Sequence, residues 1–178
     1  ASGSDCDIAV DSADNVHISF LDYQTRDLMY LGNASGDWAL DRIDIHSGTN
    51  VSTSHNTSIE VDAAGNPHIA YFHDAADNDL EYATKSAGNW TSVKVESDGD
   101  VGYDCEIATD SRGFAHIVYR DKTTSSELKY ASNESGTWMS SVMAIASAGD
   151  TSIAVDAADN IHITFVSGGQ ATYLTNRD

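Results

Sequence analysis

Cationic side chains are scarce in this chain of 178 residues, which carries 9 Lys and Arg against 28 Asp and Glu, a formal net charge of −19. Such a chain is repelled by a polyphosphate backbone and by an anionic membrane surface. No apolar run approaches the roughly 18 residues that cross a bilayer. The amino end shows no signal-peptide pattern, so any secretion signal is expected to be missing from this chain. We therefore predict neither nucleic-acid binding nor membrane insertion.

Proline and cysteine are also scarce, with one and two residues respectively. The two cysteines form no C-x-x-C pair, so a redox or zinc role lacks support. Gly, Ser, Asn and Asp are abundant by contrast, and these residues favour turns. No helical period is sustained anywhere. Many short strands joined by such turns are typical of an all-β sandwich, barrel or propeller.

Four segments of the chain repeat one pattern. They read CDIAVDSADNVHISF from Cys6, TSIEVDAAGNPHIAY from Thr57, CEIATDSRGFAHIVY from Cys105 and TSIAVDAADNIHITF from Thr151. Their shared histidines follow one another at steps of 51, 48 and 46 residues. A second motif, such as LEYATKSAGNW, ends at a tryptophan in the first three units. A complete unit therefore predicts four antiparallel strands, which we call a, b, c and d.

A repeat of roughly 45–50 residues with four strands has the size of one propeller blade, since a lone sheet must bury its faces against the next copy. We predict a single propeller unit with repeats at 5–56, 57–104, 105–150 and 151–178. The last blade lacks a counterpart of Trp138 and with it the outer strand d. A closed four-bladed ring, half of an eight-bladed ring made by two chains, and a fragment of a longer chain stay open. The open edge favours a homo-oligomer, such as a dimer that closes the eight-bladed ring.

The hairpin pattern V-D-x-x-G-N-x-H-I-x-Y, present as VDAAGNPHIAY in the second repeat, resembles the blade repeat of secreted bacterial and archaeal β-propellers. That repeat is loosely akin to sialidase-type and lectin-type propellers. The resemblance covers nearly the whole chain and implies the propeller fold and a secreted or cell-surface location. It implies no single function, since propellers host enzymes, lectins and scaffolds. The S-x-D-x-G-x-T-W box of sialidase blades, the D-x-D-x-D-G calcium loop of integrin-type blades and the WD dipeptide are not found.

The histidine common to all four repeats, His17 in the first, is predicted to be structural. A position shared by every blade serves the blade, and the spacing is far longer than that of usual zinc ligands. The hairpin aspartates such as Asp62 are interpreted as caps of the a–b turn. Cys6 and Cys105 are predicted to be two buried free thiols, with a disulfide as the alternative in the narrowest ring.

The loops between strands b and c vary while the strands do not, which is how a binding face is built on a fixed scaffold. They share one rim with the d–a loops, of which the first, at 46–56, is the longest. Carboxylates beside planar aromatic and Arg groups suit sugar hydroxyls, or a hard cation such as calcium held by oxygens. The predicted ligand-binding residues are Asp22, Tyr23, Arg26, His73, Asp74, Arg120 and Asp121. A solvated acidic surface suited to salty water is the alternative.

We therefore expect a non-catalytic propeller that binds carbohydrate or another extracellular ligand at this rim, with no resident cofactor and no metal site. A structural module for self-assembly or spacing is the second hypothesis. A degenerate glycosidase-like enzyme is the third. None of the five arginines repeats from blade to blade, and no catalytic residue is predicted.

Overall fold

The computed structural model describes residues 3–22, 24–25, 27–44, 56–73, 78–123, 126–144 and 148–177. In these ranges the chain forms fifteen β-strands. No helix in this part of the chain is long and apolar enough to cross a bilayer. The strands are β1 Gly3–Val10, β2 Val16–Asp22, β3 Leu28–Gly32, β4 Ala39–Asp44, β5 Thr57–Val61, β6 Pro67–His73, β7 Asp79–Ser86, β8 Asn89–Glu96, β9 Val101–Thr109, β10 Ala115–Asp121, β11 Glu127–Ser132, β12 Met139–Ala144, β13 Ala148–Val155, β14 Ile161–Ser167 and β15 Gln170–Thr175.

Consecutive strands pair antiparallel to give four separate sheets. Sheet 1 contains β1–β4, sheet 2 contains β5–β8 and sheet 3 contains β9–β12, each in chain order. Sheet 4 contains β13–β15. The prediction of an all-β chain built from antiparallel sheets is therefore confirmed. The first strands lie side by side, with β1 against β5, β5 against β9 and β9 against β13.

The first hairpin of every sheet closes on an aspartate. In sheet 2, Asp62 Oδ1 accepts the backbone N–H groups of Ala64 at 2.9 Å and Asn66 at 2.8 Å. Gly65, between them, has a φ of 81°, a left-handed conformation that glycine adopts without strain. The other three hairpins hold the same conformation at Asp14, Gly113 and Asp159. The aspartates are turn caps, as the sequence predicts.

The repeated histidine ties this turn to the third strand. His68 Nε2 lies 3.3 Å from Asp62 Oδ2, and Nδ1 lies 2.6 Å from the hydroxyl of Tyr82. Burial lowers the pKa of His68 and raises that of Tyr82 to about 12. The neutral imidazole therefore donates to the aspartate and accepts from the phenol. The same bond between Nδ1 and a tyrosine hydroxyl recurs at His17–Tyr30, His116–Tyr130 and His162–Tyr173. The structural interpretation of these histidines is confirmed.

Each pair of neighbouring sheets meets in a layer of apolar side chains, and we name these layers junction 1–2, junction 2–3 and junction 3–4. A tryptophan at the start of strand d, or just before it, packs edge-on against the tyrosine on strand c of the sheet before it. The ring centroids of Tyr30 and Trp90 are 5.0 Å apart, and so are those of Tyr82 and Trp138. Such a pair contributes about 0.5–1.5 kcal/mol beyond its buried area. The buried side chains of junction 1–2 are Leu21, Leu28, Tyr30, Ile59, Ile69, Tyr71 and Ala83.

Sheet 1 turns one apolar face away from sheet 2, and this face is exposed. Ile8, Ile18, Leu31 and Leu40 are in register across its four strands. Ile8 is 60% exposed, whereas Ile59, at the same position of sheet 2, is 4% exposed. We call this surface the open face of sheet 1.

The two cysteines are both free thiols, as predicted, but only one is buried. Cys105 is covered, and its Sγ lies 2.9 Å from Asn56 Oδ1. The prediction that Cys6 is buried is wrong. Cys6 lies two residues before Ile8 on β1, so its side chain is on the same open face of sheet 1. No neighbouring sheet covers this side chain.

Removing one tyrosine hydroxyl tests the hydrogen bond that each histidine makes. Tyr82→Phe leaves a buried imidazole nitrogen without its donor, so we expect it to lower the free energy of unfolding by about 1–3 kcal/mol. Tyr173→Phe is the matched control in the single chain, measured at a protein concentration that keeps chains apart, because Tyr173 is 54% exposed there and water can replace its hydroxyl. Urea denaturation measures both, and equal losses in the two variants would contradict the prediction.

Candidate functional site

Two of the predicted rim residues close their own turns. Asp22 Oδ1 accepts the backbone N–H groups of Gln24 at 2.9 Å and Thr25 at 3.0 Å. These bonds lower the pKa of Asp22. Asp121 Oδ1 accepts the backbone N–H of Thr123 at 2.9 Å. Burial acts to raise the pKa of Asp121, but hydrogen bonds from Thr123 outweigh it and lower the value. Both carboxylates stay charged and serve the fold of the loop.

The structure disperses the predicted rim residues among the sheets. Asp22, His73 and Asp121 hold one shared position, the last residue of strand b in sheets 1, 2 and 3. Arg120 forms an ion pair with Asp104 of its own sheet. Tyr23, Arg26 and Asp74 lie outside the described residues. Among the described members of the set, no single site gathers them.

His73 belongs to a cluster that sequence reasoning missed, which we call rim cluster 1–2 and define as Asp44, Tyr71, His73 and Glu81. Tyr71 lies directly across the β6–β7 pair from Glu81, and its hydroxyl is 2.7 Å from Glu81 Oε2 and 3.0 Å from Asp44 Oδ2. His73 Nδ1 is 3.5 Å from Glu81 Oε1, and Nε2 is 4.0 Å from Asp44 Oδ2. The cluster therefore joins two carboxylates, one phenol and one imidazole.

A β-bulge brings Asp44 into this cluster. Leu28 pairs with Asp44, but the next residue, Met29, pairs with Arg42, so Ile43 is the extra residue of β4. An extra residue reverses the alternation of side chains and re-aims the one that follows. Asp44 consequently points towards sheet 2 instead of the open face of sheet 1. Simple alternation of side chains along β4 would place Asp44 on the open face of sheet 1.

The same four strand positions at junction 2–3 carry Glu96, Tyr119, Asp121 and Lys129, which we call rim cluster 2–3. The ammonium of Lys129 pairs with Glu96 and lies 3.2 Å from Asp121 Oδ2. The hydroxyl of Tyr119 donates to Glu96. Burial acts to lower the pKa of Lys129, but hydrogen bonds to Glu96 and Asp121 outweigh it and raise the value. Here a lysine of the chain itself neutralises part of the carboxylate charge.

An open cleft of about 320 Å³ lies at the opposite rim of junction 1–2, beside the a–b and c–d turns. The ammonium of Lys85 donates to Asp41 Oδ2 at 2.6 Å, and its Nζ is 5.6 Å from the ring centroid of Tyr30 and 5.7 Å from that of Trp90. The indole N–H of Trp90 donates to the same oxygen at 2.9 Å. The hydrogen bond from Lys85 lowers the pKa of Asp41. A charged pair beside two aromatic rings is a surface that can bind a polar ring with one apolar face.

Lys85 is available for this cleft because of the single proline. In sheets 1, 3 and 4 the position of Lys85 is an asparagine, whose Oδ1 accepts the backbone N–H at the start of strand b. In sheet 2 strand b starts with Pro67, which has no N–H. The acceptor is not needed there, so the position can hold a lysine. The sequence carries this signal as the pairing of Pro67 with Lys85 against three asparagines.

The inner strands carry a third group of polar side chains. The hydroxyl of Ser58 lies 3.2 Å from Asp7 Oδ2 and 3.3 Å from Glu106 Oε2. Burial, followed by the charge of Asp7, raises the pKa of Glu106 to about 7. Glu106 can therefore take up and release a proton near neutral pH.

No protein-family model matches this chain, and neither does the sequence of any curated protein. In structure the chain is similar to AofleA from Arthrobotrys oligospora, with 16% identity, coverage of 99% of this chain and 56% of that one, and a TM-score of 0.67. It is also similar to the Aleuria aurantia lectin, described as a six-bladed β-propeller with a novel fucose recognition mode, with 16% identity, coverage of 98% and 62%, and a TM-score of 0.61.

A third similar structure is a PL25 ulvan lyase bound to a saccharide of GlcA and Rha3S. The identity is 13%, the coverage is 88% of this chain and 43% of that one, and the TM-score is 0.64. The chain thus spans from 43% to 62% of the length of these three proteins. At these identities the similarity shows the fold alone, which is that of β-propeller sheets.

The raised pKa of Glu106 gives stability a defined pH dependence. The folded chain holds a proton that the unfolded chain, with a glutamate pKa near 4.5, has already released. Stability contributed by this group is therefore present at low pH and lost as pH rises towards about 7. We expect Glu106→Gln to remove this loss, so its free energy of unfolding rises relative to wild type between pH 5 and pH 8.

Urea denaturation at both pH values measures this difference. Glu127→Gln, which removes one carboxyl from β11, controls for the change in net charge. A Glu106→Gln chain whose stability runs parallel to that of wild type over this range would contradict the prediction.

Proposed function

We propose that this chain is a non-catalytic propeller that binds carbohydrate and acts outside the cell, secreted or at the cell surface. The cleft at junction 1–2, lined by Tyr30 and Lys85, with Asp41 paired to Lys85 beside it, is the observation that carries the proposal. The fold similarity to a fucose-recognising lectin supports it. The net charge of −19 disfavours a polyanionic ligand, so we infer a neutral sugar.

The chemistry of the cleft fits a hexose. Sugar hydroxyls are both donors and acceptors, while one side of the ring is largely C–H. Since Lys85 and Trp90 both donate to Asp41 Oδ2, a hydroxyl can donate to Oδ1 of the same carboxylate. The ammonium can donate to a second hydroxyl, and the rings of Tyr30 and Trp90 offer apolar surface beside it.

The rim of the b–c loops is the other place for the ligand, with Asp22, His73, Arg120 and Asp121 as its described members. We favour the cleft because each of these four side chains already bonds to its own loop, sheet or cluster. A rim with calcium would use carboxylate oxygens that the turns now occupy. The two locations lie at opposite ends of the strands, so separate variants can test them.

A screen of immobilised neutral glycans, with and without calcium, tests this function. We expect Lys85→Gln and Asp41→Asn to weaken binding at least about tenfold, because each removes one charge of the Lys85–Asp41 pair at the cleft's edge. Asp22→Asn is the matched control, since asparagine can still accept the turn N–H groups, and it should leave affinity unchanged.

The opposite pattern, loss in Asp22→Asn with full binding in both cleft variants, would place the ligand at the rim. Absence of binding to every glycan would overturn the carbohydrate proposal.

Self-assembly is the second candidate function, and the open face of sheet 1 favours it. Val10, Trp38 and Leu40 on this face are 58%, 56% and 53% exposed. On the far face of sheet 4, Tyr173 is 54% exposed. Trp38 of one copy can pack on Tyr173 of another as Trp90 packs on Tyr30 within the chain. We infer that two copies pair through these faces, which would place eight sheets in one ring.

Chain mass in solution checks the pairing. Light scattering should give twice the 19.0 kDa of one chain, and Trp38→Asp should return it to a single chain because a carboxylate cannot be buried in this contact. Val93→Asp changes an exposed apolar residue on β8, away from both end faces, and should leave the mass doubled. A wild-type mass of one chain would contradict the proposal.

A further inference from the structure

Rim cluster 1–2 brings three metal-ligating side chains to one point. One ligand atom each from Asp44, His73 and Glu81 lies within 4.8 Å of the other two. Ligands bound to one ion at roughly 2.0–2.2 Å are separated by roughly 3–3.5 Å, so small side-chain rotations are enough to close on a common ion. Glu81 is buried and the other two are half-buried. Such a cluster is more protected than a chance group of surface acids.

The cluster places two carboxylates around the hydroxyl of Tyr71. The hydroxyl of Tyr71 is within hydrogen-bond distance of both Glu81 and Asp44, but it has one proton to donate. Two carboxylates therefore lie within reach of the same hydroxyl, and a nearby cation stabilises such a pair.

Rim cluster 2–3 shows how the same strand positions are neutralised within the chain. There the ammonium of Lys129 contacts both carboxylates, Glu96 and Asp121. At junction 1–2 the position of Lys129 holds Glu81, and the position of Asp121 holds His73. The lysine that neutralises one cluster is thus replaced by a carboxylate in the other, and one carboxylate is replaced by an imidazole.

Junction 3–4 gives the third variant of these positions. Its residues are Ala144, Phe165, Ser167 and Thr172. None of these side chains carries a charge, so there is no negative charge here for a cation to neutralise. Of the three junctions, only junction 1–2 combines two carboxylates with an imidazole and has no lysine or arginine at any of its four positions.

We propose that Asp44, His73 and Glu81 bind a divalent transition-metal ion of the Zn²⁺ or Mn²⁺ class, which takes the place that the ammonium of Lys129 has in rim cluster 2–3. Two carboxylates and one imidazole form a donor set that these ions accept, whereas Ca²⁺ prefers oxygen alone. The hydroxyl of Tyr71 orients the ligating carboxylates by hydrogen bonding. Three protein ligands leave at least one coordination position for water or another ligand. The site is independent of the proposed sugar cleft, which lies at the opposite rim.

Isothermal titration of the full chain, stripped of metal with a chelator, tests the site with ZnCl₂ and separately with MnCl₂. We expect one ion per chain. Glu81→Lys rebuilds the arrangement of rim cluster 2–3 and should weaken binding at least about 100-fold, and His73→Gln should weaken it at least about tenfold. Asp121→Asn in rim cluster 2–3 is the matched control and should bind as wild type does.

Thermal unfolding provides a second readout that does not depend on heat of binding. The ion should raise the melting temperature of wild type and of Asp121→Asn, but not that of Glu81→Lys. A wild-type chain that takes up neither ion at about 100 μM free metal would overturn the proposal. A folded Glu81→Lys chain that binds as tightly as wild type would overturn it too.

Discussion

Each sheet must be covered by the next, because a single sheet with two apolar faces has no stable existence in water. The rest of the structure depends on this requirement. Hydrogen bonds within one sheet position the tyrosine of this contact. The turn aspartate bonds to the histidine, the histidine bonds to the tyrosine, and the tyrosine ring packs against the tryptophan of the next sheet. A series of hydrogen bonds inside one sheet thereby fixes an apolar contact between two neighbouring sheets.

Because this covering contact repeats, variation is concentrated in the polar positions at the ends of the strands. The two rim clusters use the same strand positions, and each has a tyrosine at the same position. They differ in charge, because rim cluster 1–2 has Glu81 where rim cluster 2–3 has Lys129. The cleft behind junction 1–2 differs from its counterparts through Lys85 and Asp41 in the same way. Individual chemistry is thus placed on a common scaffold without any change in the packing beneath it.

The fold could be predicted from the sequence because its signals are periodic. Alternation identified the strands, the steps between histidines identified the repeats, and a residue present in every repeat could be assigned to the repeat itself. The candidate sites could not be predicted to the same degree. Asp44 reaches its cluster through a bulge, which alternation does not reveal, and Cys6 is exposed because of what lies beside its sheet. The cleft joins Lys85 to Asp41 of another repeat, a contact set by sheet packing.

Pro67 has a consequence for how such a protein can change over generations. Replacing an asparagine that accepts a hydrogen bond from a partly buried backbone N–H destabilises the fold, and three of the four repeats keep such an asparagine. Pro67 has no backbone N–H, so only in sheet 2 does the fold no longer need an asparagine at this position. From then on, selection acting on residue 85 can respond to a ligand instead of to folding. The loss of one backbone N–H thus allows residue 85 of the second repeat to evolve independently of folding, which the corresponding asparagines of the other three repeats cannot do.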